Sequence, residues 1–127
     1  MYIKLSPDDP RPQYQQVIDE IKALIARGDL PEGTILPSVR QVAADLGVNL
    51  NTIAAAYRAL QDEGLLDVRH GRGAVVRSRT TATHNEGQLR TPLRTALTQL
   101  VLAGMPRAEI MRLVSDELAG LFKRVKS

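Results

Sequence analysis

Apolar residues recur at intervals of three and four positions in the first quarter of the chain. This pattern begins after Pro12 and Gln13 and stops at Gly28. Such spacing is typical of a helix that buries one face, and glycine commonly terminates one. The predicted buried stripe of this helix comprises Tyr14, Val17, Ile18, Ile21, Leu24 and Ile25.

Two further helices joined by a tight turn are predicted between residues 38 and 64. Ser38 is a favourable N-cap, and Gln41 follows it at capping-box spacing. Gly47 suits the position after a helix, and Asn49 can cap the next one. This spacing is typical of a helix-turn-helix, although these residues alone also allow a helical hairpin of a bundle. The predicted buried stripes are Val39, Val42, Ala43 and Leu46 in the first helix and Ile53, Ala56, Tyr57 and Leu60 in the second.

Strand-like sequence follows the helices as LLDVR and AVVRS, with the glycine-containing segment HGRG between them. The length and composition of that segment favour a hairpin loop. A phosphate-binding glycine loop would be followed by a helix, whereas a strand follows here, so we interpret the loop as the tip of a wing. The earlier segment DLPEGTILP is predicted to be a loop with at most a short extended piece. We therefore predict a mainly α fold with a small β-hairpin, a winged helix-turn-helix domain over residues 1–78.

The remaining part, residues 79–127, is predicted to be a linker and a two-helix dimerisation region. Residues 79–89 are polar and aperiodic, a fourth helix ends near Gly104, and Pro106 suits the first position of a fifth. Two helices bury too little surface to be stable alone, so a symmetric partner is expected. The alternative is that both helices fold back on their own winged helix. The apolar face of the fifth helix comprises Ile110, Leu113, Val114, Leu118, Leu121, Phe122 and Val125.

Composition excludes several classes of protein. The chain has no cysteine, and His70 and His84 form no recognisable metal-ligand cluster. The N-terminus lacks the apolar core of a signal peptide, and the longest apolar run, residues 100–105, is too short to span a bilayer. No nucleophile–base pair or pair of carboxylates indicates an enzyme. We therefore expect a cytoplasmic protein without catalytic activity, metal or cofactor.

The charge is distributed unevenly along the chain. Residues 1–80 contain ten basic and ten acidic residues, so the net charge of +3 comes from residues 81–127, with seven basic and four acidic. Residues 69–79, however, contain four arginines and no acid. This cluster is either a solvated basic edge or a site for a polyanion.

The start of the second helix-turn-helix helix carries the candidate base-reading residues. In this motif that helix enters the DNA major groove with its N-terminal residues leading. Asn49 and Asn51 carry amides that can pair with adenine, and Thr52 carries a hydroxyl for base or phosphate. Asn49 has the alternative role of a cap, and Thr52 that of the third residue after it. Asn51 has no evident structural role and is the better candidate.

Other residues on the predicted helix-turn-helix are consistent with DNA binding. An exposed Leu50 is unexplained by folding, and Ala54 is small enough to let the helix sit deep in a groove. Arg40 opposes the helix dipole near an N-terminus, which either a polyanion or plain solvent exposure explains. Arg58 is on the same face of the second helix as Leu50 and Ala54, although Asp62, one turn later, is an alternative partner for it.

The predicted wing contains the remaining candidates. Gly71 allows close backbone approach. His70 and Arg72 would flank a groove or bind phosphates. Sequence-independent attraction would come from Arg69, Arg77 and Arg79.

The run GTILPSVRQVAADLGVNLNTIAAAYRALQDEGLLDVRHGRGAVV resembles the DNA-binding domain of GntR-type bacterial transcription regulators. The motifs that carry this resemblance are LPSVR, LGV, EGL and GRG, together with Thr52, Tyr57 and Leu60. It covers about residues 10–77 and implies a homodimer on a pseudo-palindromic operator. Leu50 and Ala54 depart from relatives that place basic or polar residues there. The DNA contacts implied by the resemblance are Arg40, Asn49, Asn51, Thr52, His70, Gly71 and Arg72.

The two C-terminal helices resemble those of the YtrA-like subgroup, in which this piece serves dimerisation. The expected function is that of a sequence-specific transcription regulator, a repressor, with double-stranded DNA as its partner. A small-molecule effector between the helices or at the dimer interface is left open by the sequence. The alternative function is a winged helix that binds an acidic protein, although such an interface would favour aromatic anchors.

Overall fold

The computed structural model describes residues 3–69, 73–80 and 85–122. The chain forms two compact units, Met1–Ala82 and Thr83–Ser127. No helix in the described ranges is both long enough and apolar enough to cross a membrane. The first unit contains α1 (Gln13–Arg27), β1 (Ile35–Leu36), α2 (Val39–Leu46), α3 (Leu50–Asp62), β2 (Leu66–Arg69) and β3 (Gly73–Val76). The second contains α4 (Glu86–Leu102) and α5 (Arg107–Phe122). The predicted mainly α, winged-helix fold class is confirmed.

Helix α1 has the predicted bounds, but one predicted core residue is wrong. Tyr14 is exposed in the first turn, and Leu24 is only half-buried. Gln16 is buried instead, because both ends of its amide have partners. Its Oε1 accepts a hydrogen bond from the backbone N of Ser6 at 3.0 Å, and its Nε2 donates to the backbone O of Arg11 at 3.0 Å. The N-terminal segment is thereby attached to α1.

Helices α2 and α3 begin at the predicted side-chain caps. The Ser38 hydroxyl accepts from the backbone N of Gln41 at 3.1 Å, and Asn49 Oδ1 accepts from the backbone N of Asn51 at 2.7 Å. The capping box is only half formed, because the Gln41 side chain donates to Asp45 at 2.8 Å rather than returning to residue 38. The predicted α3 stripe is fully buried, whereas Val39 and Leu46 of α2 only border the core.

One buried tyrosine fixes the entry to α2. The Tyr57 hydroxyl in α3 donates to the backbone O of Pro37 at 2.7 Å. Burial raises the pKa of this hydroxyl well above its ordinary range, because the phenolate would lose its hydration. The bond ties the loop before α2 directly to α3, and so holds the two helix starts in a fixed relation.

The sheet has three antiparallel strands in the order β1-β3-β2, one more than the predicted hairpin. The short extended piece expected in DLPEGTILP is β1, which pairs Ile35 with Val75. Gly73 has φ +83°, and a Cβ there would lie 2.4 Å from the backbone O of Leu36. Only glycine therefore permits β3 to approach the end of β1 so closely.

The hydrophobic core belongs to the first unit. Every residue recorded as buried and hydrophobic in the described chain lies between Ile3 and Val76. The core combines residues from all three helices and from the sheet. Its largest fully buried side chains are Tyr57, Ile21, Ile25, Leu36, Ile53, Leu60, Leu66, Val17 and Val76.

Helix α4 begins earlier than predicted and α5 begins one residue later. Asn85 caps α4 by accepting from the backbone N of Gln88 at 2.8 Å, so the helix starts within the segment predicted as linker. Pro92 lies inside α4. The carbonyl of Pro106 accepts the first bonds of α5, which places this proline just before the helix. Val125 of the predicted apolar face lies outside the described residues.

Candidate nucleic-acid interface

An open groove of about 480 Å³ lies where the starts of α2 and α3 meet strands β2 and β3. Three separate parts of the first unit contribute to it, and both helices enter it with their N-terminal ends. Its lining contains two arginines and no acidic residue. The lining residues are Ser38, Val39, Arg40, Leu50, Asn51, Ala54, Val68, Arg69 and Gly73.

The groove is electrostatically suited to an anion. Helix N-termini present unpaired N–H groups and the positive end of the helix dipole. Arg40 adds a cation in the first turn of α2, where its side chain is exposed. Within the described ranges no carboxylate pairs with Arg40, so its charge is free for a partner in solution.

The three polar residues predicted at the start of α3 differ in exposure, in hydrogen bonding and in whether they line the groove. Asn51 is exposed, lines the groove, and makes no side-chain hydrogen bond to another described residue. The Asn49 carboxamide oxygen is already occupied as the cap of α3. Thr52 is half-buried, and neither it nor Asn49 lines the groove. The structure thus places Arg40 and Asn51 in the lining of one groove, whereas Asn49 and Thr52 lie outside that lining.

The predicted wing residues His70, Gly71 and Arg72 lie outside the described residues. The strands on either side are described, and they pair Arg69 directly with Gly73. Both of these residues line the groove. The described ends of β2 and β3 therefore lie at the groove.

The surrounding arginines differ in what they contact. Arg69 Nε donates to Asp67 at 3.0 Å, so a neighbouring carboxylate partly balances its charge. Arg79 donates to the backbone O of Ala26 at 2.8 Å and to that of Ile25 at 3.3 Å. Arg79 thus satisfies carbonyls at the C-terminal end of α1, where a cation also complements the dipole. The expectation that Arg79 attracts a polyanion is not supported by this placement.

Arg58 does not form the ion pair that the sequence offered as an alternative. It is exposed on α3, and no salt bridge joins it to Asp62. Arg58 follows Ala54 by one helical turn and Leu50 by two, so the three share one face of α3. The cation is thus available on the helix that enters the groove.

Several groove residues were not among the predicted site residues. Ser38 was predicted only as a cap and Val39 only as a core residue. Val68 and Gly73 reach the groove through strand pairing, which no local pattern announces. Leu50 and Ala54 had a sequence signal, because an apolar residue at an exposed helix start has no folding role.

A winged helix-turn-helix with a basic groove at the start of its second motif helix belongs to the DNA-binding class of proteins. Residues 13–76 match the family described as bacterial regulatory proteins, gntR family. The chain belongs to the GntR family of DNA-binding transcription regulators.

The comparison with curated proteins gives a relative over most of the chain. It is 34% identical over 100 residues to the HTH-type transcriptional repressor YtrA of Bacillus subtilis, covering 79% of this chain and 76% of that protein. Several other regulators that the chain matches are much longer, and it spans only 14% to 34% of their length.

Solved structures with the same fold include three that are informative. A transcriptional antiterminator from Listeria monocytogenes has a TM-score of 0.83 at 27% identity, covering 95% of this chain and 92% of that one. YtrA from Sulfolobus acidocaldarius, a GntR-family transcription factor, has a TM-score of 0.61 at 40% identity, covering 76% and 97%. The DNA-binding domain of AraR in complex with operator ORX1 has a TM-score of 0.53 at 27% identity, covering 60% and 98%.

Proposed function

We propose that this protein is a repressor that binds a pseudo-palindromic operator as a homodimer. The observation that carries the proposal is the groove in which Arg40 and Asn51 meet beside two helix starts. Support for repression comes from the similarity to the Bacillus subtilis repressor. Support for an operator as ligand comes from the similarity to the AraR domain bound to one.

The roles of the polar residues follow from their surroundings. Asn51 reads a base edge, since its amide is exposed and uncommitted, and adenine is the base that an asparagine pairs with bidentately. Arg40 binds a phosphate, which fixes the register of the protein on the duplex. Asn49 and Thr52 contact the backbone at the entrance of α3, with the amide of Asn49 free to donate while its oxygen caps the helix.

We assign His70, Gly71 and Arg72 to the DNA contact by continuity with the hairpin. The flanking residues, Arg69 and Gly73, already line the groove. The basic side chains of this segment supply charge for the neighbouring phosphate backbone or for the minor groove. This contact adds affinity that depends little on sequence.

Dimerisation through α4 and α5 follows from their uncovered apolar surface. Neither helix has a buried residue. The polar side of α5 is distinct, because Arg112 pairs there with Asp116 at 3.3 Å and with Glu109 at 3.8 Å. A second copy of the chain covers the apolar sides symmetrically. The large exposed hydrophobic residues of the two helices are Leu89, Leu93, Val101, Leu102, Met111, Leu118 and Phe122.

The direct test is selection of bound sequences from random duplex DNA, followed by titration of the selected duplex at several salt concentrations. We expect a palindromic consensus with half-sites about one helical turn apart. The logarithm of the affinity should fall steeply with that of the salt concentration, by about 0.9 for each phosphate contact. Absence of any enriched duplex, or an affinity that does not change with salt, would contradict the proposal.

An arginine pair provides the matched control for this titration. Replacing Arg40 with alanine should reduce the salt slope by about 1 per protomer, because one phosphate contact is lost. Arg27→Ala should leave the slope unchanged, since Arg27 lies at the end of α1 and pairs with Asp29 at 3.0 Å. Equal slopes for both variants would remove Arg40 from the interface.

A further inference from the structure

We propose that each protomer recognises its half-site through the 5-methyl group of a thymine, which packs against Leu50 and Ala54 beside the base contacted by Asn51. This inference rests on the proposed function and specifies the DNA sequence that the same groove accepts. It assigns a reading role to two apolar residues of α3 that line the groove.

Leu50 occupies the first position of α3 and is 41% exposed, although it is a large aliphatic residue. Ala54 follows it by one helical turn, and residues four apart on a helix are neighbours on its surface. Both line the groove. Together they form an apolar strip at the start of α3.

Other elements extend this apolar strip. Val39 of α2 and Val68 of β2 line the same groove. The apolar surface is therefore contributed by three elements rather than by one stray side chain. It lies among Arg40, Asn51 and two helix N-termini, which favour a negatively charged partner over an apolar one.

The chemistry of these side chains restricts what they can recognise. Leucine and alanine side chains neither donate nor accept hydrogen bonds, so they cannot read the polar pattern of a base edge. In the major groove the apolar feature of a base is the C5-methyl group of thymine. A cytosine amino group or a purine edge placed against Leu50 would lose water without gaining a partner, which is unfavourable. The strip therefore selects a thymine.

The experiment uses the full chain and the duplex obtained by selection. Each thymine is replaced in turn by deoxyuridine, which removes only the methyl group, and binding is followed by fluorescence anisotropy at fixed salt. One thymine per half-site should be sensitive, with affinity falling roughly fourfold per half-site, the value expected for one buried methyl group. Restoring the group as 5-methylcytosine, compared with cytosine at the same position, should recover a similar factor.

Two variants assign the effect to the strip. In Leu50→Ala the deoxyuridine effect should shrink to less than about twofold, because the main contact with the methyl group is gone. Ile35→Ala is the matched control, since Ile35 is an exposed aliphatic residue of β1 that does not line the groove. It should retain the full effect. Thermal unfolding of each variant checks that the fold is kept.

The outcomes separate this inference from the function on which it rests. If no duplex is bound at all, the proposed function fails. If a duplex is bound but every deoxyuridine substitution is neutral, the function stands and the inference is overturned. A thymine effect that persists unchanged in Leu50→Ala also overturns it, since another residue would then sense the methyl group.

Discussion

The two units of this chain show the same local pattern and opposite burial. Helices α1 and α3 carry apolar stripes at helical spacing, and so does α5. In the first unit these stripes meet around one core with Tyr57 and Leu60 at less than 2% exposure. In the second, α4 and α5 bury no residue, and Leu102 is 80% exposed. A periodic stripe therefore predicts a helix, but it does not say what covers that helix.

The two units also differ in the exposed apolar surface that they present. The first unit exposes few large apolar residues, and one of them, Leu50, lies in the basic groove. The second exposes apolar residues along both of its helices. A small apolar strip among cations suits a nucleic acid, whereas a wide apolar face suits another copy of the chain.

The largest effect is expected from a charge on the apolar side of α5. In the proposed dimer, Leu118→Glu should separate the protomers, since a carboxylate cannot be buried unpaired in an interface. Operator affinity should then fall about 10²- to 10⁴-fold, because two linked sites no longer bind together. Sedimentation and anisotropy measure the two changes. Ala119→Glu is the control, because Ala119 follows Asp116 by three residues and so lies on the charged side of α5. This variant should keep the molecular mass of a dimer. A dimeric Leu118→Glu would contradict our account of the second unit.

A truncation in the core of the first unit should produce the next largest effect. Leu60→Ala removes a fully buried side chain and should lower the free energy of unfolding by about 2–5 kcal/mol. Ile35→Ala removes a side chain that is 72% exposed and should change it by less than about 0.5 kcal/mol. Urea titration of both variants measures the difference. Similar values for the two would show that the first unit lacks the core described here.

A glycine pair tests the close contact that shapes the groove. Gly33→Ala and Gly73→Ala both place a side chain at positive φ, which costs about 1–2 kcal/mol. Only Gly73 has backbone within 3 Å of the added Cβ, so its variant should lose at least about 1 kcal/mol more. Equal thermal shifts in the two variants would mean that β1 and β3 do not approach each other as described.

The smallest effect should distinguish a cap from a DNA contact. Asn49→Ala removes the cap of α3 and should lower the free energy of unfolding by about 1 kcal/mol. Asn51→Ala removes no internal bond of its side chain, so its stability should be unchanged while its preference among operator variants changes. Chemical unfolding and competition binding measure the two effects. An Asn51→Ala protein with unaltered preference would exclude Asn51 as a base reader.

Local sequence signals were sufficient to predict most of the helices and strands of the first unit. The caps at Ser38 and Asn49 act within three residues of themselves, so the helix starts were predictable. Strand β1 was only suggested, because its two residues acquire partners from Val75 and Ala74, about forty positions later. The start of α4 was missed, because residues 79–89 are polar and aperiodic in sequence, while the cap at residue 85 begins a helix within them.

Some residues of the candidate site were predictable from local sequence, and others were not. Arg40 and Asn51 were predicted because their positions at helix starts define them within a known motif. Val68 and Gly73 join them only through tertiary contacts. Arg79 was expected beside a polyanion, but its partners are carbonyls in α1 more than fifty residues away. Sequence thus identifies which residues are able to contact DNA, whereas packing decides which of them share a groove.

Amide hydrogen exchange of the protein with and without its selected duplex shows which elements of the chain contact DNA. We predict that DNA slows exchange at the starts of α2 and α3 and at the base of the β2–β3 hairpin, while amides of α4 and α5 keep their rates. Protection confined to α4 and α5, or spread evenly over the first unit without a maximum at residues 38–40 and 50–54, would contradict the account.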